Sequence, residues 1–569
     1  MRLLWIGIFS FLFFQACVTS PEPLPYTVDQ VLTDDTAMVV TAHPLASEVG
    51  IEILKKGGNA IDAAIATQFA LAVVYPRAGN IGGGGFMVIR LANGQTDVLD
   101  YREKAPTKAH RDMYLDTTGQ VIDSLSTYGG LAVGIPGTVA GMWAVHEKYG
   151  SLPWATLLEP SIALAKDGFP ILQAEAERFE TFKKFFVRYN GTKDNPFVKN
   201  TTWKEGDWLK QPKLAATLAN ISLNGPDGFY KGKVAKDIAD KVQATGGILT
   251  ADDLEKYQPA WRTPITGDYK EYHIISMPPA SSGGVALLQM LKMVEPYPLK
   301  DWGVRDAKTV HTMVESMRRA FADRATHLGD SDFYEVPIDK LLDSTYLAEK
   351  MSNFNLEHAT PSDSTRSVPF ELKVESFETT HTSIIDGQGN AVSVTTTLNL
   401  NFGSKVLVNG AGFFLNNEMD DFSAKPGVPN YFGMVGNEIN AIQPGKRMLS
   451  SMTPTIIEKD GKLWMVLGTP GGSTIMTSLF QVFLNTAEFD MDLNEAVTFP
   501  RFHHQWLPDE IKHEATALDA VLLHQLESMG HHIGDVSKIA KVKAIIVNSD
   551  GTLTGVGDPR VVEDDAEGF

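Results

Sequence analysis

The chain has 569 residues and a formal net charge of −19 at pH 7, with 43% hydrophobic and 21% charged residues. At this length we expect two domains or one large interleaved domain, and the ordinary composition excludes extended disorder. The strong negative charge argues against nucleic acid or an acidic membrane surface as a partner.

Residues 1–16 predict a signal peptide, with Arg2 as its basic region before an apolar run that is too short to span a bilayer. Cys17 follows this run directly and is the only cysteine, so it cannot form an internal disulfide. Its position resembles a bacterial lipobox and predicts lipidation of Cys17, with plain secretion as the alternative. Residues 17–27 contain three prolines and predict an extended tether. We therefore expect an exported protein of the periplasm or cell envelope, possessing at most a lipid contact with the membrane.

Helical and strand patterns alternate after the tether. Strands are predicted at 38–41, 86–91 and 96–100, and helices at 47–56, 60–74, 137–148, 153–166, 251–257, 283–295 and 309–328. The next segment, 361–378, is polar and without periodicity, which predicts an exposed, mobile stretch. Beyond residue 399, strands are predicted at 405–408, 413–416, 454–458 and 463–467, and a helix at 474–488.

Four consecutive glycines at 82–85 invite a phosphate-loop interpretation. No Lys-Ser/Thr pair follows them, and a helix rather than a strand precedes them, so the spacing fits no phosphate-binding motif. We expect these glycines to relieve backbone crowding before the strand at 86–91.

A hairpin is predicted after the polar segment. Thr and Ser alternate with aliphatic residues on two arms, 379–385 and 391–399, whereas a core strand normally uses Val, Ile or Phe. The turn at 386–390 contains the Gly, Asp and Asn residues that a hairpin loop needs. An antiparallel register would bring Thr379 close to Thr397, although strand propensity alone accounts for any single Thr.

Three further features have two interpretations each. Arg102 is either a solvated surface residue or a carboxylate clamp. Gly471 and Gly472, before the helix at 474–488, form either an oxyanion site or a tight turn. His503 and His504 lack ligand spacing to any nearby acid, so we predict aromatic packing there and no metal.

Many motifs occur in one order along the chain, and together they resemble the γ-glutamyltranspeptidase family from about residue 38 to residue 568. The hairpin carries Thr379-x-His381-x-Ser383 and Gly389-Asn390-x-Val392-Ser393-x-Thr395-x-Thr397-Leu398-Asn399. The other matching strings are His43-Pro44-Leu45-Ala46, Tyr101-Arg102-Glu103-Lys104-Ala105-Pro106, Phe402-Gly403, Asn416-Asn417-Glu418-Met419-Asp420-Asp421-Phe422, Ser450-Ser451-Met452, Pro470-Gly471-Gly472, Arg501-Phe502-His503-His504 and Asp558-Pro559-Arg560.

The resemblance implies an α+β fold, the four-layer αββα sandwich of the N-terminal nucleophile hydrolases. It also implies self-cleavage between Glu378 and Thr379. The products would be a large subunit, 28–378 after the tether, and a small subunit, 379–569, that remain one interleaved domain.

The resemblance further implies the residue roles. Thr379 would be the nucleophile and Thr397 its orienting partner, and Gly471 and Gly472 would form the oxyanion site. The donor's α-carboxylate would bind Arg102, Ser450 and Ser451, and its α-ammonium group would bind Asn399, Glu418 and Asp421. Residues 426–437, including Phe432 where some bacterial relatives carry Tyr, would form a lid. The implied partners are glutathione and other γ-glutamyl compounds as donors, and amino acids or dipeptides as acceptors. The resemblance implies no cofactor.

Two alternatives remain at this point. A related amidase of the same fold, such as a cephalosporin acylase or a poly-γ-glutamate depolymerase, would share the nucleophile without the full set of α-amino and α-carboxylate binders. A non-catalytic surface lipoprotein would not need to keep Thr379 together with Gly471 and Gly472.

Overall fold

The computed structural model describes residues 24–122, 124–362 and 379–569. The predicted signal peptide, Cys17, most of the tether, Glu378 and most of the polar segment before Thr379 lie outside the described residues. Within the described ranges, no helix is both long enough and apolar enough to cross a membrane.

In the described ranges, two seven-stranded antiparallel sheets form the centre of the molecule. The first sheet consists, in spatial order, of Asp565–Gly568, Met38–Thr41, Thr379–Ile385, Ala391–Thr397, Gly84–Arg90, Thr96–Asp100 and Ala260–Arg262. The second consists of Val31–Asp34, Leu553–Gly557, Lys543–Val547, Lys462–Gly468, Thr455–Lys459, Tyr272–Ser276 and Ile265–Tyr269. Each sheet contains strands from both sides of the residue pair Glu378 and Thr379, so the two parts of the chain are interleaved.

The sheets pack face to face, and helices cover both outer faces. Alternate residues of each strand face opposite sides: Ile384 belongs to the core under the helices, while Ile385 belongs to the core between the sheets. The arrangement confirms the predicted α+β, αββα architecture.

The helices fall into two groups. Those on the first-sheet side are Pro44–Lys55, Ala60–Val74, Thr138–Tyr149, Trp154–Asp167, Gln173–Asn190, Pro212–Asn224, Asp227–Tyr230, Gly232–Ala244 and Ala251–Glu255. Those on the second-sheet side are Gly283–Val294, Leu299–Trp302, Ala307–His327, Ile338–Leu341, Ser344–Met351, Thr474–Ala487, Leu493–Thr498 and Ala520–Ser528. Short additional strands pair Phe169–Pro170 with Trp208–Leu209, Leu407–Val408 with Phe413–Phe414, and Phe502–His503 with Ile511–His513 and Ile533–Val536.

Most predicted elements are confirmed within a few residues, and the differences have local causes. The first helix begins three residues earlier than predicted, at Pro44. The reason is that the His43 side chain accepts a hydrogen bond from the Leu45 backbone N–H and thereby caps the helix. The strand predicted at 405–408 is only Leu407–Val408, because Lys405 has a positive φ of 66° that a strand excludes.

The glycine run confirms the crowding prediction. A Cβ on Gly82 would collide with the Phe414 carbonyl oxygen, and one on Gly83 would collide with the Thr397 carbonyl oxygen. The absence of side chains therefore lets this segment lie against the end of the hairpin.

Candidate active site

Thr379 begins one hairpin strand and Thr397 ends the other, and the two residues are paired in antiparallel register. The Thr379 hydroxyl donates to Thr397 Oγ1 at 3.4 Å, and Thr397 Oγ1 also accepts the Asn399 backbone N–H at 2.7 Å. The predicted proximity of the two threonines is confirmed. Because the hydroxyl proton of Thr379 points to Thr397, the lone pairs of Thr379 Oγ1 point away from Thr397.

The face of the hairpin toward the second sheet is polar. His381 Nδ1 lies 2.8 Å from Thr395 Oγ1, and its Nε2 lies 3.0 Å from Ser383 Oγ. Ser383 donates its proton toward the Lys543 carbonyl oxygen at 3.2 Å, so it must accept from His381 Nε2–H, which assigns the tautomer. Burial, with a smaller contribution from the Lys543 charge, holds the pKa of His381 well below its usual range. The hydroxyls of Thr395 and Ser383 thus form hydrogen bonds to His381 between the sheets, which accounts for the polar residues on this face of the hairpin.

A cavity opens beside the Thr379 end of the hairpin. Its lining contains every predicted catalytic or donor-binding residue except Gly471, and the full lining is Arg102, Thr379, Thr397, Asn399, Glu418, Asp421, Phe432, Met434, Ser450, Ser451, Met452, Gly472 and Ile475. Separate stretches of the chain therefore supply one site.

Charged groups of both signs meet in this cavity. Arg102 Nη1 lies 2.6 Å from Glu418 Oε2, and Arg102 Nη2 donates to Asp421 Oδ2 at 2.5 Å. Burial raises the pKa of Glu418 and of Asp421, against the opposing effect of Arg102. Burial also raises the pKa of the adjacent Glu103 to about 8. Arg102 is 1% exposed, which excludes the surface interpretation.

Two serines, Ser450 and Ser451, also line the cavity. The Ser450 hydroxyl accepts the Met452 backbone N–H at 3.1 Å, and Ser451 Oγ lies 3.5 Å from Met434 Sδ. Ser451 also accepts from Arg324, a residue of the helix Ala307–His327, at 3.5 Å. Both serine hydroxyls are thereby oriented before any ligand binds.

Asn399 takes a left-handed backbone conformation at the end of the hairpin. Its φ is 75°, a value that only Gly, Asn and Asp adopt readily. Its side-chain amide donates to the Asn417 carbonyl oxygen at 3.0 Å, which ties the hairpin to the turn that contains Glu418 and Asp421.

Gly471 and Gly472 lie between the strand Lys462–Gly468 and the helix Thr474–Ala487. Gly472 has a φ of 54°, and a Cβ at this position would lie 2.6 Å from Phe432 Cδ1. The predicted lid therefore rests on the glycine turn through the Phe432 ring. The Phe432 backbone N–H donates to Asn430 Oδ1 at 3.1 Å, which shapes the lid.

Histidines form two further clusters. His503 bonds to Thr477 at 2.8 Å and packs edge-on against Phe321, which confirms the predicted aromatic packing. His311, Glu315 and His531 lie close enough to share a cation, a group that the sequence spacing did not reveal. Glu315 pairs with two arginines of the same helix, Arg318 and Arg319, so the local charge opposes a cation there.

Sequence reasoning assigned no role to Arg324, Met452 or Ile475, which lie in or beside the cavity, whereas Met434 belongs to the predicted lid at 426–437. Arg324 occupies an amphipathic helix, where an arginine is ordinarily a surface residue, so no local pattern separates it from its neighbours.

The four-layer sandwich, with a threonine hairpin opening onto the cavity, is the fold of the N-terminal nucleophile hydrolases. The solved cephalosporin acylase of Bacillus halodurans superposes with a TM-score of 0.82 at 27% identity, covering 97% of this chain and 99% of that one.

The chain belongs to the γ-glutamyltranspeptidase family, whose model, described as Gamma-glutamyltranspeptidase, matches residues 46–567. A glutathione hydrolase proenzyme of Escherichia coli (strain K12) is 43% identical, over 98% of this chain and 97% of the relative. A second, from Pseudomonas sp. (strain A14), is 48% identical, over 92% of this chain and 93% of the relative.

Proposed function

We propose that this chain is a self-processing γ-glutamyltransferase and glutathione hydrolase with Thr379 as its nucleophile. The observation that carries the proposal is the cavity, which places the Thr379 hydroxyl beside both a buried guanidinium and buried carboxylates. A γ-glutamyl group ends in an α-ammonium and an α-carboxylate, so a site of mixed charge suits it.

Processing precedes turnover. The Thr379 hydroxyl attacks the carbonyl carbon of Glu378, and the peptide bond is replaced by an ester while the Thr379 nitrogen leaves as an amine. Water then hydrolyses the ester, releasing the Glu378 carboxylate and restoring the hydroxyl. The large and small subunits stay together because they share both sheets.

The freed α-amine then serves as the base. Its reference pKa of roughly 7.7–8.0 leaves part of it neutral near pH 7, whereas the amide of the uncleaved chain cannot take a proton. The amine takes the hydroxyl proton as Thr379 Oγ1 attacks the γ-amide carbonyl, and the leaving amine of the donor then receives that proton. The glutamyl ester passes to water, or to the amine of an amino acid or dipeptide.

The residues around Thr379 divide the work. In the resting site, Thr397 accepts the hydrogen bond that the Thr379 hydroxyl donates. Gly471 and Gly472 would present backbone N–H groups to the oxyanion. Arg102, Ser450 and Ser451 would hold the α-carboxylate, and Asn399, Glu418 and Asp421 would hold the α-ammonium. Arg102 is already paired with Glu418 and Asp421, so the donor must enter between paired groups.

The amidase alternative has less support. The solved acylase shares the fold at 27% identity, whereas the two glutathione hydrolase proenzymes share 43% and 48% over nearly the whole chain. The scaffold alternative does not account for the buried ionic site, because removing charged groups from water costs stability even when they are paired, and a scaffold gains no function from that cost.

Release of p-nitroaniline from γ-glutamyl-p-nitroanilide, with and without glycylglycine, tests this function. We expect release in both conditions and a faster rate with the acceptor. On a denaturing gel the wild type should give two bands, and Thr379→Ala should give one inactive band. An active enzyme that remains uncleaved would contradict the mechanism.

We further propose export and anchoring through Cys17, supported by the apolar run that precedes it. The full chain should fractionate with membranes and Cys17→Ala should fractionate as a soluble protein. A Cys17→Ala variant that stays with the membranes would contradict the anchor.

A further inference from the structure

Arg324 is a buried cation beside the donor cavity. It belongs to the helix Ala307–His327 and is 5% exposed. Its Nε donates to Ser282 Oγ at 3.0 Å, and its Nη2 donates to Ser451 Oγ at 3.5 Å. Neutral hydroxyls are thus its nearest partners.

In the part of the chain that the structure describes, the charge of Arg324 is not balanced by a direct ion pair. Among the described residues, no carboxylate lies within 4.0 Å of the Arg324 guanidinium. Burial lowers the pKa of this guanidinium to about 10, and the more distant Asp421 opposes the effect. Burying an arginine without a carboxylate partner costs folding free energy, so the position of Arg324 indicates that its partner is the anionic group of a ligand.

Arg102 contrasts with Arg324. The Arg102 guanidinium contacts Glu418 at 2.6 Å, Asp421 at 2.5 Å and Glu103 at 3.6 Å, so three carboxylates surround one cation. A donor carboxylate that approached Arg102 alone would meet a site with excess negative charge. Arg324, which contacts Ser451, supplies a further positive charge that opposes this excess.

We propose that Arg324 is a positioning residue for the donor: through Ser451 it fixes the α-carboxylate and makes the site selective for donors that carry one. The Arg324 guanidinium donates to Ser451 Oγ, so the lone pairs of this hydroxyl point toward Arg324 and its proton points away. The proton is donated to Met434 Sδ, a weak acceptor that a ligand oxygen can replace. The same charge attracts the carboxylate across a low-dielectric gap. This inference rests on the proposed function and names the group that selects its substrate.

A matched pair of donors tests it. γ-Glutamyl-p-nitroanilide carries the α-carboxylate, and 4-aminobutyryl-p-nitroanilide keeps the amine but lacks the carboxylate. For Arg324→Gln we expect KM for the first donor to rise about tenfold with kcat changed less than about twofold, as for one hydrogen bond to a charged group. The kcat/KM for the second donor should stay close to that of the wild type. Equal losses on both donors would show a merely structural role and overturn the proposal.

Conservative and double variants complete the test. Arg324→Lys keeps the charge without the planar fork, so its KM for γ-glutamyl-p-nitroanilide should lie between those of wild type and Arg324→Gln. Should Arg324→Gln fail to fold, the lysine variant alone decides, since unchanged donor selectivity there overturns the proposal.

Ser451→Ala and Arg324→Gln should also combine less than additively, because one acts through the other; additive effects would contradict that route. A wild type inactive on γ-glutamyl-p-nitroanilide would remove the proposed function itself, whereas equal losses on both donors remove only this inference.

Discussion

The hydroxyl of Thr379 lies 3.4 Å from Thr397 Oγ1, across the open end of the hairpin. The two strands are paired in one continuous register of seven residue pairs, from Thr379 with Thr397 to Ile385 with Ala391, and this register fixes the distance. The orientation of the nucleophile therefore depends on the register of the sheet rather than on a mobile loop.

Thr397→Val removes the acceptor of the Thr379 proton and keeps the side-chain shape. We expect self-cleavage and turnover to slow by about ten- to hundredfold, the range for one oriented hydrogen bond of roughly 1–3 kcal/mol. Thr397→Ser, which keeps the hydroxyl, is the matched control and should stay within a few-fold of wild type. Single-turnover rates on freshly refolded precursor and steady-state kcat measure the two steps. Equal rates for the valine and serine variants would show that the contact is unimportant.

Gly472→Ala forces a Cβ into the Phe432 ring and strains a residue at φ 54°. If the turn supplies an oxyanion donor, kcat should fall by about 10²–10³. Gly461→Ala is the control, because Gly461 also has a positive φ of 73° but a Cβ added to it would meet no atom within 4 Å. It should cost stability, measured by urea unfolding, without lowering kcat. Similar kcat values for the two variants would contradict the oxyanion role.

The fold could be predicted further than the site. Hydrophobic periodicity and turn residues placed the helices and the hairpin, and the hairpin register followed from the turn at 386–390. The order of strands in each sheet could not follow from periodicity, because pairings such as Met38–Thr41 with Asp565–Gly568 join distant parts of the chain.

The ionic pairing in the cavity lay beyond local patterns as well. Family resemblance placed Arg102 on the carboxylate side and Glu418 on the ammonium side, yet the two side chains contact each other at 2.6 Å. Such a contact joins residues that are far apart in the sequence, and only the packed sheets bring them together. Arg324 gave no signal for the same reason.

Arg102→Gln should destabilise the protein as well as weaken donor binding. It leaves Glu418 and Asp421 without their cation, and breaking a buried pair in this way costs about 3–5 kcal/mol. The loss should be greater at pH 8 than at pH 6, since buried carboxyls with raised pKa values are protonated more readily at the lower pH. Urea unfolding at both pH values measures it.

The double variant Arg102→Gln with Glu418→Gln is the control for that measurement, because it removes one of the carboxylates that lose their cation. It should recover part of the lost stability. A single Arg102→Gln variant with wild-type stability at pH 8 would show that the pair does not matter in the resting site.

Buried histidines should make stability fall as the pH falls below about 6.5. Burial, offset in part by its Gln505 hydrogen bond, lowers the pKa of His503 to about 3, whereas the unfolded side chain titrates near its ordinary value of about 6.5. Between these values the unfolded state binds the extra proton, so the contribution is fully present above about pH 6.5 and is progressively lost below it. One such histidine accounts for about 1.4 kcal/mol between pH 7.5 and pH 5.5.

Other groups act in the opposite direction, so the comparison must be between variants. Burial raises the pKa values of Asp564 and Asp565 to about 7, and a raised carboxyl pKa favours the folded state as the pH falls. Relative to wild type, His503→Gln should therefore gain about 1.4 kcal/mol on going from pH 7.5 to pH 5.5, whatever its stability at pH 7.5. His110→Gln replaces an exposed histidine and should show no such gain. Parallel pH profiles for His503→Gln and wild type would mean that His503 takes up its proton in the folded protein, in conflict with its burial.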